Sequence, residues 1–126
     1  MAGEPSLGVT GRRILVVEDD FIIASDLQSW LEEQGFKVLG PAPSTEDALA
    51  LLRAASLPDA AVLDINLGDE EVFPVADALR AANVPFVFMT GFAGELIPGD
   101  YGQIRRCSKP LDRFRLLRAL AEVLEP

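Results

Sequence analysis

From Arg12 to the end of the chain, short apolar runs alternate with stretches of helical period, and this alternation is what most constrains the fold. Strands are expected over 13–18, 36–40, 59–64, 85–90 and 103–108, and helices over 20–34, 44–55, 73–82 and 111–125. Such alternation implies an α/β domain with a parallel sheet covered on both faces. In the first helix Ile23, Leu27, Trp30 and Leu31 form one apolar stripe, and Gly35 is a candidate C-cap. Ser44, followed by Asp47 three residues later, has capping-box spacing for the second helix, although the reciprocal residue is usually Glu or Gln.

Two segments stand apart. Between 91 and 102, where a fourth helix belongs, Gly91, Gly94, Pro98, Gly99 and Gly102 are crowded together. Each glycine costs a helix roughly 1 kcal/mol relative to alanine, so this helix is expected to be short, distorted or mobile. In the last helix Leu111, Phe114, Leu117, Ala121 and Leu124 form one stripe, and Leu116, Leu120 and Val123 widen it to about half the circumference. Two accounts of that width stand equally. Either flanking helices cover it, or the last helix and last strand offer a surface to a second copy or a downstream protein. On the dimer account, replacing Leu116 and Leu120 by glutamate would give a monomer.

At 126 residues, 49% of them hydrophobic, the chain has room for one well-packed domain, expected over 12–126. Residues 1–11 show no period and hold three glycines and a proline, which suggests a disordered leader. One cysteine and no histidine exclude a disulfide framework, a Cys/His zinc site and any mechanism that needs the chain's own imidazole. Histidine-based phosphoryl chemistry would have to come from a partner. A net charge of -9 argues against a nucleic-acid surface and favours cation binding. The charge is uneven: residues 1–104 carry 17 acidic and 5 basic side chains, and 105–126 carry 3 acidic and 6 basic. That basic end is more simply a solvated helix face than a docking surface. No stretch of 18 apolar residues and no signal-peptide pattern is present, so no membrane contact is expected and a reducing cytoplasm is the expected location.

The apolar runs end in polar residues. Ile14–Val17 runs into Glu18-Asp19-Asp20, Ala60–Leu63 into Asp64, and Val84–Met89 into Thr90-Gly91, while the segment to Ser108 leads into Lys109-Pro110. In an open α/β sheet, sites form outside the carboxyl ends of the strands, so these endings converge on one crevice. Glu18, Asp19 and Asp64 would make an oxygen cluster suited to Mg²⁺, which takes only one or two direct carboxylates. With the metal offsetting charge, Asp64 is the best nucleophile towards a phosphoryl group, because it stands alone on the central strand. Lys109 would supply a cation and Thr90 a hydroxyl to the same group. Each residue has a plainer reading: an acidic pair at a helix N-terminus is favoured by the dipole, and a strand-terminal Asp is often a turn residue. Four such endings in order are harder to attribute to chance.

Residues 14–20 (Ile-Leu-Val-Val-Glu-Asp-Asp), 62–67 (Val-Leu-Asp-Ile-Asn-Leu), 89–91 (Met-Thr-Gly) and 108–111 (Ser-Lys-Pro-Leu) together resemble the receiver domain of two-component response regulators, over about Arg12 to Glu125. The resemblance implies a doubly wound (βα)5 flavodoxin-like sandwich with sheet order 2-1-3-4-5. It implies phosphorylation of Asp64 by a phosphohistidine of a sensor histidine kinase or phosphotransfer protein. It further implies Mg²⁺ held by Asp19, Asp64, the backbone carbonyl of Asn66 and, through water, Glu18. Thr90 would move as the conformational switch, Lys109 would pair with the phosphoryl group, and the Lys109–Pro110 bond would be cis. An aromatic residue commonly lies three before that lysine, whereas Arg106 stands here. Residues 84–92, with the Gly/Pro-rich run and Lys-Pro-Leu, look like the "FAT GUY" subgroup of single-domain receivers, with Phe92 as an alternative switch aromatic and Asn66 and Phe92 as tuners of phosphoryl lifetime.

The leading expectation is therefore a stand-alone receiver that signals by protein contact or serves as a phosphate sink, catalysing only its own phosphorylation and dephosphorylation. A receiver excised from a hybrid histidine kinase and an interaction module with a vestigial site are the alternatives. A phosphotransferase acting on small phosphoesters would usually place a second acid two residues after the nucleophile, where Asn66 sits. Flavin binding would need a phosphate-cradling loop that the sequence lacks.

Overall fold

The computed structural model describes residues 11–54, 56–91, 97 and 99–125. In chain order the elements are β1 (Arg13–Val17), α1 (Phe21–Glu33), β2 (Lys37–Ala42), α2 (Thr45–Ala54), β3 (Ala60–Asp64), β4 (Asn66–Leu67), β5 (Glu70–Glu71), α3 (Phe73–Ala81), β6 (Phe86–Thr90), β7 (Arg106–Ser108) and α4 (Arg113–Leu124). β1, β2, β3, β6 and β7 form a parallel sheet of order β2-β1-β3-β6-β7, and β4 and β5 form a separate two-stranded hairpin. With the hairpin set aside, this is the expected 2-1-3-4-5 order.

The three central strands are buried on both faces, as a parallel sheet between helices requires. Alternation sorts their side chains into two cores. Ile14, Val16, Ala60, Val62, Val87 and Met89 pack with Leu27, Trp30 and Leu31 of α1 and Leu116 and Leu120 of α4. Leu15, Val17, Ala61, Leu63, Phe86 and Phe88 pack with Ala48 of α2 and Val75, Ala76 and Leu79 of α3. The strands' polar ends are thereby held at one rim of a rigid slab.

Local signals act largely as the sequence suggests. α1 ends at Glu33, and Gly35 follows with φ 102°, the left-handed conformation that closes a helix. The Ser44 hydroxyl accepts the Asp47 N–H at 3.0 Å, one half of a capping box.

Several boundaries differ. β2 continues through Gly40 and Pro41 to Ala42, because it is an edge strand and its register against β1 shifts between Leu15 and Val17, the kind of irregularity that absorbs a proline. Strand β7 begins only at Arg106, the stretch before it being turn, and the expected strand from 103 is too long. Gly11, assigned to a leader, donates its N–H to Gly35 at 2.7 Å and is tied to the domain; residues 1–10 lie outside the described residues. The expected fourth helix falls mostly on 92–96 and 98, also outside them, and Gly99–Tyr101 forms a single 3-10 turn.

The last helix needs the largest correction. Its core face is Leu116, Ala119, Leu120 and Leu124, whereas Phe114, placed in the main stripe by its spacing, is 85% exposed. Leu116 and Leu120 are fully buried, so they belong to the domain core and cannot report on a dimer face.

Candidate functional site

At the carboxyl rim, β1 runs into Glu18, β3 ends in Asp64, β6 ends in Thr90 and β7 leads to Lys109. Glu18, Asp64 and Thr90 are buried, and Asp19 is exposed. The acidic triplet after β1 divides its labour. Asp20 is the N-cap of α1, its Oδ1 accepting the N–H groups of Ile22 at 2.9 Å and Ile23 at 3.0 Å. Glu18 and Asp19 turn instead to Asp64, and the three residues offer carboxylate oxygens that lie within 4.8 Å of one another.

Lys109 reaches into this cluster. Its Nζ donates to Asp64 Oδ2 at 2.9 Å and lies 3.1 Å from Glu18 Oε1. The second contact is a charge contact without hydrogen-bond geometry, so the buried Oε1 has no hydrogen-bond partner. Glu18 Oε2 accepts the Asp20 N–H at 3.0 Å, and Asp64 Oδ1 accepts the Asn66 N–H at 2.9 Å. The Lys109 N–H donates to the Thr90 carbonyl at 2.7 Å, which fixes where the lysine side chain sets out. The Lys109–Pro110 peptide is cis, as is Gly40–Pro41.

Electrostatics explains the tension here. Burial first, and the Asp64 carboxylate second, push Glu18 from the usual carboxylate range up to about 7. Burial alone would lower Lys109, but its hydrogen bond to Asp64 and its closeness to Glu18 outweigh that and hold it above its ordinary value. One ammonium thus faces two buried carboxylates and an exposed third. A hard cation fits this set: the donors are all oxygens, their spacing suits one small ion, and the orphaned Glu18 Oε1 lacks the directed partner a buried oxygen requires.

The expected residues Glu18, Asp19, Asp64 and Lys109 are brought together, and Asn66 and Thr90 adjoin them through backbone bonds. Phe92 lies outside the described residues. Arg106 is exposed on β7, consistent with the absence of an aromatic there. Two features near the site carried no sequence signal strong enough to find them. The hairpin β4–β5 holds Asn66, and its Glu70 carboxylate accepts the Thr45 N–H at the start of α2. Tyr101 is buried against Phe73 and Phe88 and donates its hydroxyl to Asp77.

A family model described as the response regulator receiver domain matches residues 14–121. The chain belongs to this family. Among curated relatives, this receiver is 29% identical over 101 residues to the phyllosphere-induced regulator PhyR of Methylorubrum extorquens, covering 79% of this chain and 38% of PhyR. It is 32% identical over 117 residues to the sensory transduction protein LytT of Bacillus cereus, covering 86% of this chain and 45% of LytT. The receiver thus spans less than half the length of these relatives. The solution structure of SdrG from Sphingomonas melonis Fr1 superimposes with a TM-score of 0.78 at 34% identity, over 97% of this chain and 100% of that one. The crystal structure of the response regulator PhyR from Brucella abortus superimposes with a TM-score of 0.80 at 25% identity, over 94% of this chain and 50% of that one. Receivers belong to signalling proteins of two-component systems and are not classical enzymes. Among the described residues no helix is long and apolar enough to cross a membrane.

Proposed function

We propose that this receiver accepts a phosphoryl group on Asp64 from a phosphohistidine of a sensor kinase or phosphotransfer protein and signals by altered protein contact. The observation that carries this reading is a single one: a buried strand-end carboxylate, Asp64, hydrogen-bonded to Lys109 at 2.9 Å and grouped with two further carboxylates. An Asp64 carboxylate oxygen attacks phosphorus, the phosphorus–nitrogen bond breaks, and the donor imidazole leaves with the electron pair. These 126 residues hold no histidine, so the phosphoryl donor lies outside them. Asn66 holds the other oxygen through its N–H and so orients the nucleophile. Lys109, freed from Asp64 as that charge is consumed, pairs with the phosphoryl oxygens, and Thr90 contributes a hydroxyl and acts as the switch.

Asp19 and Asp64 would hold Mg²⁺ with the Asn66 carbonyl, and Glu18 would hold it through water. When bound, the cation offsets the charge on the nucleophile and the phosphoryl oxygens. The likeness of 84–92 to the "FAT GUY" subgroup extends the reading, with Phe92 as switch aromatic. Stand-alone action, a phosphate-sink role and a cytoplasmic setting belong to the same proposal.

The test is transfer from a phosphorylated histidine kinase with Mg²⁺ present. The proposal predicts an acyl phosphate that hydroxylamine removes, absent in Asp64→Asn. No transfer to the wild type, or a hydroxylamine-resistant product, would favour an interaction module with a vestigial site.

A further inference from the structure

The hairpin that follows Asp64 is too short to hold itself. β4 and β5 pair at two positions, Asn66 opposite Glu71 and Leu67 opposite Glu70, and a two-stranded ribbon is at best marginally stable alone. Its first strand is anchored by Leu67, buried in the same core as Leu63 and Val72. Its second strand, Glu70–Glu71, is exposed, and among the described residues the side-chain hydrogen bonds that tie it to another element both come from Thr45 at the start of α2. The Thr45 N–H donates to the Glu70 carboxylate at 2.9 Å, and the Thr45 hydroxyl donates to the Glu71 carbonyl at 2.7 Å.

The two bonds serve different elements. The first satisfies one of the free N–H groups that open a helix, so it serves α2. The second satisfies no helical donor, since a hydroxyl that gives its proton to a neighbouring carbonyl leaves the N–H groups of α2 as they were. It serves the hairpin. α2 is a firm base for such a hold, because its Ala48 is fully buried in the core that contains Leu63 and Leu67. Across the ribbon from Glu71 stands Asn66, whose N–H donates to Asp64 Oδ1 at 2.9 Å. Beyond it the chain turns at Gly68, with φ 62°, where a Cβ would come 3.6 Å from Asp19 Oδ2. The ribbon therefore reaches from α2 past Asp64 to Asp19, and its hold on α2 sets where Asn66 stands.

We propose that Thr45 is a positioning residue for the phosphorylation site: its hydroxyl, through Glu71, keeps Asn66 on the Asp64 carboxylate. The inference rests on phosphoryl transfer to Asp64. With Asn66 loosened, Asp64 Oδ1 loses a directed donor and the carboxylate turns more freely, so fewer encounters find it in line with phosphorus. A residue that only supported α2 would act otherwise. Its loss would lower stability throughout the domain and leave Asn66 no more exposed to opening than its neighbours.

The experiment uses the full chain with Thr45→Val, which removes the hydroxyl but keeps the shape and the N–H, and Thr45→Ser, which keeps the hydroxyl. Solvent exchange of the Asn66 amide is followed by NMR, and Asp64 phosphorylation by acetyl phosphate with Mg²⁺ is followed by intact mass over time. Thr45→Val is expected to speed Asn66 exchange roughly fivefold, as the loss of one hydrogen bond implies, and to slow phosphorylation by a similar factor, with exchange at Leu63 in β3 unchanged. Thr45→Ser is expected to match the wild type in both. The proposal is overturned if Asn66 exchange in Thr45→Val equals that of the wild type, or if phosphorylation keeps its rate while that exchange rises. It is also overturned if Leu63 exchange speeds up as much as Asn66 exchange, or if Thr45→Ser behaves like Thr45→Val. In a wild type that takes no phosphoryl group it is the assignment of Asp64 that fails, and the exchange measurement alone then upholds or overturns the hold of Thr45 on Asn66.

Discussion

Glu18 is held in a buried position where one oxygen has the Asp20 N–H and the other faces an ammonium with which it makes no hydrogen bond. On the proposed reading such a charge serves a cation site at the expense of the cation-free fold. Glu18→Gln should therefore stabilise the metal-free protein by about 1 kcal/mol and weaken Mg²⁺ binding. Urea denaturation without metal and a Mg²⁺ titration check both halves, and a less stable variant would show that the charge is structural. Lys109→Met works in the opposite direction. It leaves Glu18 and Asp64 buried without a cation and should cost about 1–3 kcal/mol in metal-free denaturation. An unchanged midpoint would mean that solvent already compensates those acids. At this scale Glu18, Asp64 and Thr90 were legible because each sits at the end of an apolar run, whereas Lys109 follows the polar segment 103–108 and was legible only as Lys-Pro after a short strand. Which of Asp19 and Asp20 caps α1 was not legible, since the two have the same capping capacity and only the backbone path decides.

The elements around the site depend on one another. Glu70, on the hairpin after Asp64, accepts the Thr45 N–H, and the Thr45 hydroxyl donates to the Glu71 carbonyl at 2.7 Å, so the hairpin supplies a cap to α2. Glu70→Ala should lower stability by about 0.5–1 kcal/mol, seen in a thermal melt. No change would mean that water takes the carboxylate's place. Gly40 in β2 has φ 96°, and a Cβ there would meet the Ala42 nitrogen at 2.7 Å and the Val16 carbonyl at 3.1 Å. Gly40→Ala is expected to destabilise by about 2 kcal/mol or more, and a variant as stable as wild type would contradict this local path. Neither feature was legible. Gly40-Pro41 breaks the strand pattern locally, and the pairing of Asn66-Leu67 with Glu70-Glu71 is too short to carry a periodic signal.

Over the whole molecule, the layered fold follows from the alternation of apolar runs and amphipathic helices, which is why its class could be read before any coordinates, whereas the strand order came from the family resemblance. The face of α4 could not be read so simply, because leucines surround much of that helix and only docking on the sheet selects Leu116, Leu120 and Leu124. Leu116→Glu is therefore expected to unfold the domain, costing more than about 4 kcal/mol, while Phe114→Glu stays within about 0.5 kcal/mol of wild type. A folded Leu116→Glu protein would return α4 to the role of an open interface. The central claim concerns Asp64, and intact mass after incubation with acetyl phosphate and Mg²⁺ tests it most directly. The account predicts one added phosphoryl group on the wild type and none on Asp64→Asn. Equal gain by both would place the phosphoryl group elsewhere and contradict it.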